Sequence, residues 1–436
     1  MPLRVLKTKN FEGLEQPAFI PTGTYTVDAE GTYNVANYEF IKVLIEKGDI
    51  KKLACSDDTT WVLKNDGTLW GCGLNSYGQQ GSGDTTDVKT FTQRMENVKD
   101  VSCSNRTTWV IKNDNTLWGC GYNYSGQQGS GTSGNGTEVK KFTQRLDNVK
   151  QVACSEETTW ALKTDGTLWG CGRSNYGQQG SGSYTGILEF AQRMTDVKSV
   201  TCFTSVTWAL KNDGTLWGCG RNDFGQQGSG DTGQVLSFTQ RMTDVKSVSC
   251  CNETTWAIKN DGTLWGCGEN LNYQQGSGNR TNVTTFIQRM TNVKSSYCSE
   301  GTTWVVKNDG TLWGCGIGNY GQQGSNDTWS STTFTQRLTD VKDAVCSRDI
   351  TWAIKTDGTL WGCGYNISGQ QGSGDTTNVL TFTQRLNNTR DFSFSNGTTW
   401  AIKNDGTLWG CGSNSSGQQG SGDTTTVLTF TQRTLS

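Results

Sequence analysis

The sequence predicts an all-β protein, a closed β-propeller of four-stranded antiparallel blades, with eight blades favoured and seven the alternative. Three observations predict it. The tetrapeptide Trp-Gly-Cys-Gly recurs eight times, beginning at Trp70, Trp118, Trp169, Trp217, Trp265, Trp313, Trp361 and Trp409, with every spacing 48 residues except one of 51. A fixed period of roughly 20 to 50 residues is the mark of a solenoid, a propeller or an array. Each repeat breaks into four short strand-like segments separated by tight-turn signals, without helical periodicity. Glycine is the commonest residue, at 56 of 436, and the only prolines, Pro2, Pro17 and Pro21, all precede the repeats. Glycine at that density, without a Gly-X-Y period, fits strands joined by turns that need positive φ.

In chain order, residues 1–48 match no repeat. Segments 23–27 and 31–35 alternate β-branched and aromatic residues around Asp28-Ala29-Glu30, which predicts a small hairpin. Residues 38–46 follow as a further strand or a short helix. An arm of this size holds no large core alone, so it is expected to dock, with Tyr25, Tyr33 and Tyr38 as candidate attachment residues.

Residues 49–436 are expected to form the propeller. In the fifth repeat the four strands are expected at 245–250, 254–259, 263–267 and 284–289. Asn260-Asp261-Gly262 between the second and third is a hairpin signal. The second repeat has Asn115 in place of that glycine, and asparagine best tolerates the left-handed region. Strands two and three are apolar on both faces, as in Trp256-Ala257-Ile258, which suits blades that pack against neighbours on each side. A linear β-solenoid is the alternative. The first unit begins near Ile50 and the last ends at Arg433, and neither shows the polar face of a solenoid cap, so the two are expected to meet.

The stretch Thr207–Asp231, TWALKNDGTLWGCGRNDFGQQGSGD, resembles the regulator-of-chromosome-condensation repeat. The resemblance runs through all eight units, over about residues 49–433, and implies a propeller of four-stranded blades. The family's histidine is threonine here, as at Thr158; its second aromatic is cysteine, as at Cys171; its leucine after Gly-Gln is glutamine, as at Gln179. Founding members carry seven repeats. Their guanine-nucleotide-exchange role is not expected to transfer, because only scaffold residues are shared. Separately, Thr26–Ile45, TVDAEGTYNVANYEFIKVLI, resembles short modules in structural proteins of phages infecting Gram-positive hosts. That resemblance implies a virion protein anchored to other virion proteins through residues 1–48, its propeller a decoration or attachment module for a host-surface glycan or protein. A soluble cytoplasmic interaction scaffold is the alternative.

Composition bears on the remaining function classes. With 38 basic and 40 acidic residues the chain has no basic footprint, which argues against nucleic acid. It has no run of 18 apolar residues and no apolar stretch behind its first residues, so neither a transmembrane helix nor a conventional signal peptide is expected. There is no histidine, which removes the commonest general base and metal ligand. No enzyme, cofactor or metal is expected.

The recurring residues are expected to be structural. Asp66 and its equivalents sit in the hairpin turn. The 16 cysteines sit at repeat-locked positions and are expected to be reduced and buried; Phe394 replaces one of them, as a packing position allows. The Trp61 and Trp70 series are expected to fill the blade interfaces. Arg94 and its equivalents would form a ring, to bind an anion or to pair with turn aspartates. No carboxylate cluster unique to one repeat stands out. Binding is therefore sought where the repeats differ. Tyr77, Tyr122, Tyr124, Arg173, Tyr176, Arg221, Phe224, Tyr320 and Tyr365 follow Trp-Gly-Cys-Gly in a variable loop. Tyr184 and Trp329 lie in a second variable stretch, with an insertion around 132–137. Loops on a rigid scaffold commonly carry binding, and tyrosine, tryptophan and arginine are favoured contact residues.

Overall fold

A computed structural model describes the backbone of residues 25–27 and 33–35, and residues 50–435 apart from positions 57, 105, 252, 348 and 396. The chain divides into two units, 1–49 and 50–436. In the first, β1 (Tyr25–Val27) pairs antiparallel with β2 (Tyr33–Val35), Tyr25 opposite Val35. The expected element at 38–46, and Tyr38 with it, lies outside the described residues.

The second unit is eight four-stranded antiparallel sheets, each ordered first to fourth strand along the chain. The first blade comprises β3 (Ile50–Ser56), β4 (Thr59–Lys64), β5 (Leu69–Gly73) and β6 (Val88–Met95). Seven copies follow, and no blade borrows a strand from another. In the fifth, the strands run Val245–Cys250, Thr254–Lys259, Leu264–Gly268 and Val283–Met290, each end within one residue of expectation. The first strand of each blade lies against the first strands of its neighbours, which places it innermost, around the axis.

The turn chemistry is as the sequence implies. Asp66 Oδ1 accepts from the Thr68 backbone N–H at 2.8 Å and from its hydroxyl at 2.7 Å, and Thr68 Oγ1 accepts from Trp70 Nε1 at 3.0 Å. The second blade's Asn115 takes φ 66° in the same turn. Each recurring aspartate thus shapes a hairpin.

The seam between blades explains the family departures. The carbonyl of Gln79 reaches into the second blade and accepts from Thr108 Oγ1 at 2.8 Å and from the Cys120 thiol at 3.3 Å. Gln80, next in the chain, turns back and donates through Nε2 to Cys72 O at 2.8 Å. A Cβ on Gly71 would stand 2.4 Å from Gln80 Oε1 and 2.6 Å from the Trp61 ring, so that glycine is required by close approach. Cysteine where the family has an aromatic thus bonds a carbonyl across the seam, and Gln80, where the family has leucine, holds the Cys72 carbonyl of its own blade. Trp61, fully buried, packs edge-on against Phe142 of the next blade at 5.9 Å, beside Leu63, Leu69, Val98, Val101 and Val110. The second tryptophan series is only half-buried. Trp70 is covered by the Lys64 ammonium 4.6 Å from its ring, an arrangement found in all eight blades.

The last blade makes the same clasp with the first. Gln418 O accepts from Thr60 Oγ1 at 2.9 Å and Cys72 Sγ at 3.4 Å, while Trp400 Nε1 donates to Thr60 Oγ1 at 3.1 Å and its ring meets Phe91 at 5.6 Å. Closure removes the solenoid and seven-blade alternatives. All 16 cysteines are free thiols. Burial pushes the Cys55 thiol up to about 12, and Phe394 at the equivalent position packs beside Trp352 and Ile354.

Candidate functional site

Each blade presents connections at two faces. The Leu74 N–H donates to Asp58 O, so the first-to-second and third-to-fourth strand connections share one face, here the loop face. The Val98 N–H donates to Gly67 O, so the hairpin and the turn into the next blade share the other, the turn face. The two variable stretches are the halves of a single connection, 74–87 in the first blade, and both belong to the loop face.

That connection is held by Asn75, whose Nδ2 donates to Ser82 Oγ at 2.9 Å and Asp84 Oδ1 at 3.0 Å. Its far end bridges to the next blade, Ser82 opposite Lys141. Two variable positions are thereby brought together across the seams. The residue four after Trp-Gly-Cys-Gly's last glycine in one blade meets the residue directly after it in the next.

At the first seam Tyr77 packs edge-on against Tyr122 at 4.9 Å, and Tyr122 stacks on Tyr124 at 6.1 Å. The Arg106 guanidinium lies 4.8 Å from the Tyr77 ring and 5.4 Å from the Tyr122 ring. Further round, Arg173 pairs with Glu157. Arg221 lies 5.5 Å from the Tyr176 ring and 5.4 Å from the Phe224 ring, bonds Asp223 at 2.8 Å, and approaches Glu253 at 3.8 Å. Glu269 in the fifth blade is 7% exposed and accepts from Gln274 Nε2 at 2.7 Å. Burial, then the neighbouring Glu253, pushes its carboxyl up to about 7. Between the sixth and seventh blades Tyr320 meets Tyr365 at 5.0 Å.

Eight of the nine sequence-predicted residues of the first loop thus group into three clusters: Tyr77, Tyr122 and Tyr124; Tyr176, Arg221 and Phe224; Tyr320 and Tyr365. The ninth, Arg173, stands with Glu157. Trp329 is 78% exposed. Its place has a cause. Gly318 replaces the loop-holding asparagine, and the Trp329 carbonyl stands 2.0 Å from where a Cβ on Gly318 would be, so the loop collapses into the vacated space. Tyr184 is also exposed.

Sequence reasoning missed Arg106, Glu253 and Glu269, and with them a carboxylate pair unique to one blade; the absence of such a cluster, expected above, is corrected. It also missed Tyr273, which takes φ 64° in the place of a glycine, its ring under the Arg280 guanidinium at 4.8 Å. The signal for Tyr273 was present as the only break in Gly-Gln-Gln-Gly. The arginine ring does not pair as expected. Among the described residues none of the eight closes an ion pair, and each Nε is buried without a hydrogen bond. Burial is also the main influence on Arg94, with Asp84 and Cys120 lesser ones.

Three of the repeats, at residues 50–79, 98–127 and 149–178, match the family model of the regulator of chromosome condensation (RCC1) repeat. Over these three repeats the chain is similar to that family. Solved structures agree in fold. The human WBSCR16 structure is 20% identical, with a TM-score of 0.61 over 76% of this chain and 96% of that one. Yeast Prp20, studied for its binding to Gsp1p and histones, is 16% identical, with a TM-score of 0.56 over 68% of this chain and 80% of that one. Prp20 with Kap60 gives 15% identity and a TM-score of 0.58 over 72% and 82%. No curated protein sequence matches the chain.

Proposed function

We propose that the propeller is a non-enzymatic protein-binding module whose contact surface is the loop face. The observation that carries this reading is the set of cross-seam pairs. Eight structurally equal seams hold chemically unequal pairs, and the unequal ones are built of tyrosine, phenylalanine and arginine, the residues that dominate interface energetics. Exposed apolar side chains stand on the same face, with Tyr124 49%, Ile367 61% and Trp329 78% exposed. The test uses the full chain as bait. Tyr124→Ala and Trp329→Ala are expected to weaken a captured partner about tenfold or more, while Thr143→Ala, exposed midway along the outermost strand Val139–Leu146, leaves capture unchanged. Equal capture by all three variants would remove the loop face from consideration.

The biological setting we favour is a virion, with residues 1–48 anchoring the propeller to other virion proteins; support comes from the resemblance at Thr26–Ile45 to phage structural modules. Deleting 1–48 is then expected to leave a folded propeller that no longer joins particles, and continued incorporation refutes it. A cytoplasmic interaction scaffold is the second reading. It is supported by the partners of Prp20, namely Gsp1p, histones and Kap60, and recovery of a specific intracellular partner would favour it.

A further inference from the structure

The innermost strands carry a feature that the loop-face reading does not use. The second residue of each is a cation: Lys51, Lys99 and five further lysines to Lys342, with Arg390 in the eighth blade. The lysines are exposed and Arg390 is half-buried. They lie at the start of the strands, hence at the turn-face mouth of the axis. Three of the side chains run round the mouth, while Lys99 Nζ donates to Asn115 Oδ1 in the hairpin of its own blade at 2.8 Å. Lys51 Nζ donates to Lys99 O at 2.5 Å, Lys294 Nζ to Lys342 O at 2.6 Å, and Arg390 to Ile50 O across the closing seam. We propose that this mouth is a binding site for a compact, multiply charged phosphate compound.

The argument is one of charge placement. The acidic residues nearest in the chain are Asp100, Asp343 and Asp391, each one residue after the ring position. Asp100 is neutralised by Lys52 at 2.7 Å, Asp343 takes the Tyr297 hydroxyl, and Asp391 caps the Phe392 N–H. The turn acids just before the strands are hydrogen-bonded as well. Glu96 is held by Gln93 and Asp147 by Gln144, both on outermost strands, while Asp196, Asp244 and Asp340 take the hydroxyl of the threonine before them. The hairpin aspartates are occupied by their threonines. Hydrogen bonds leave these carboxylates charged. Among the described residues, however, Lys52 offsets Asp100, Lys64 and its seven equivalents match the eight hairpin aspartates, and Arg94 and its seven equivalents outnumber the other seven acids. The ring's charge is therefore not cancelled on this face. The other mouth differs: a cavity of about 190 Å³ there is lined by Ser104, Cys154, Cys202 and Phe203 together with Glu156 and Glu300.

Eight like charges drawn onto one circle repel, and a single polyanion on the axis relieves that repulsion at every position. Lysine is a point charge suited to phosphate oxygens from any direction, whereas planar, bidentate carboxylate recognition favours arginine. Convergence from all sides fits a compact ligand better than an extended acidic chain.

The test is calorimetry of the full chain with inorganic tripolyphosphate at low and physiological salt. One ligand per chain is expected, weakening as salt rises. The Lys99→Ser, Lys198→Ser, Lys294→Ser triple variant is expected to bind at least about tenfold more weakly. The Lys89→Ser, Lys140→Ser, Lys141→Ser triple, which removes equal charge from the outer strands, is expected to bind as the parent does. Melting curves confirm folding, and the same ring triple made with glutamine serves if the serine form melts early. The proposal is overturned by absence of one-to-one binding at low salt, by equal losses in the two triples, or by a hexaglutamate peptide binding as tightly as tripolyphosphate.

Discussion

Ring closure without strand exchange makes a quantitative demand on the seam between the last blade and the first. If closure is complete, Trp400 does there what Trp208 does inside the ring. Trp400 is fully buried, donates to Thr60 at 3.1 Å and meets Phe91 at 5.6 Å and 69°. Trp208 is fully buried, donates to Thr255 at 3.2 Å and meets Phe286 at 5.9 Å and 68°. Truncating either to alanine removes a large buried side chain and leaves a cavity, at about 3–5 kcal/mol. The lost hydrogen bond adds little, because each threonine hydroxyl keeps its own acceptor, Gln418 O or Gln226 O. Trp400→Ala and Trp208→Ala are therefore expected to lower stability equally, within about 1 kcal/mol. Urea unfolding followed by far-ultraviolet circular dichroism measures this without relying on tryptophan emission. A cost under about 1 kcal/mol at Trp400, beside the full cost at Trp208, would show a seam that opens in solution and would refute the closed ring.

Three further outcomes follow from local geometry. Gly71→Ala places a methyl group 2.6 Å from the buried Trp61 ring and should cost about 1–3 kcal/mol in urea; a cost near zero would sink the clasp geometry. Glu269 has its carboxyl raised from 4.5 to about 7 by burial and by Glu253, so its stabilising contribution is complete below pH 4.5 and is lost as pH rises through about 7. Stability should fall by about 1–3 kcal/mol between pH 5 and pH 8, and Glu269→Gln should flatten that slope; an unchanged slope refutes the assignment. Burial raises the Cys55 thiol to about 12, so the native protein should react with a thiol reagent at pH 8 far more slowly than the denatured chain, which offers all 16 thiols.

Most of the frame was legible because a repeat reports the same answer eight times. Asn115 in the left-handed turn, Phe394 among apolar side chains and the Thr263–Cys267 strand, found at Leu264–Gly268, each followed from local rules. What local rules could not reach was contact between residues of different repeats or of different segments of one repeat. Tyr77 and Tyr122 are ordinary loop tyrosines until the first blade is set beside the second; then they share a seam with Arg106. Gly318 and Trp329 read as two unrelated departures, and only the loop's collapse makes one the cause of the other. Glu253 and Glu269 stand in different connections of one blade, and their proximity depends on the second and third strands pairing between them. The cationic ring was written plainly in the sequence. It was passed over because one lysine per repeat looks like a solvated surface until the innermost strands are known.

These cases divide the surface by how symmetry acts on it. On the turn face the repeat is kept, so equal residues add: eight single charges, each unremarkable, become one multivalent site on the axis. On the loop face the repeat is broken, and several breaks are read across a seam, because the residue after Trp-Gly-Cys-Gly in one blade meets the variable loop of the blade before it. A change in one repeat therefore alters a pair. Tyr77 with Tyr122, Tyr176 with Arg221 and Tyr320 with Tyr365 are three such pairs. Because the clasps beneath them are alike, these pairs can vary without disturbing closure, which gives the loop face freedom to diverge while the frame stays constant.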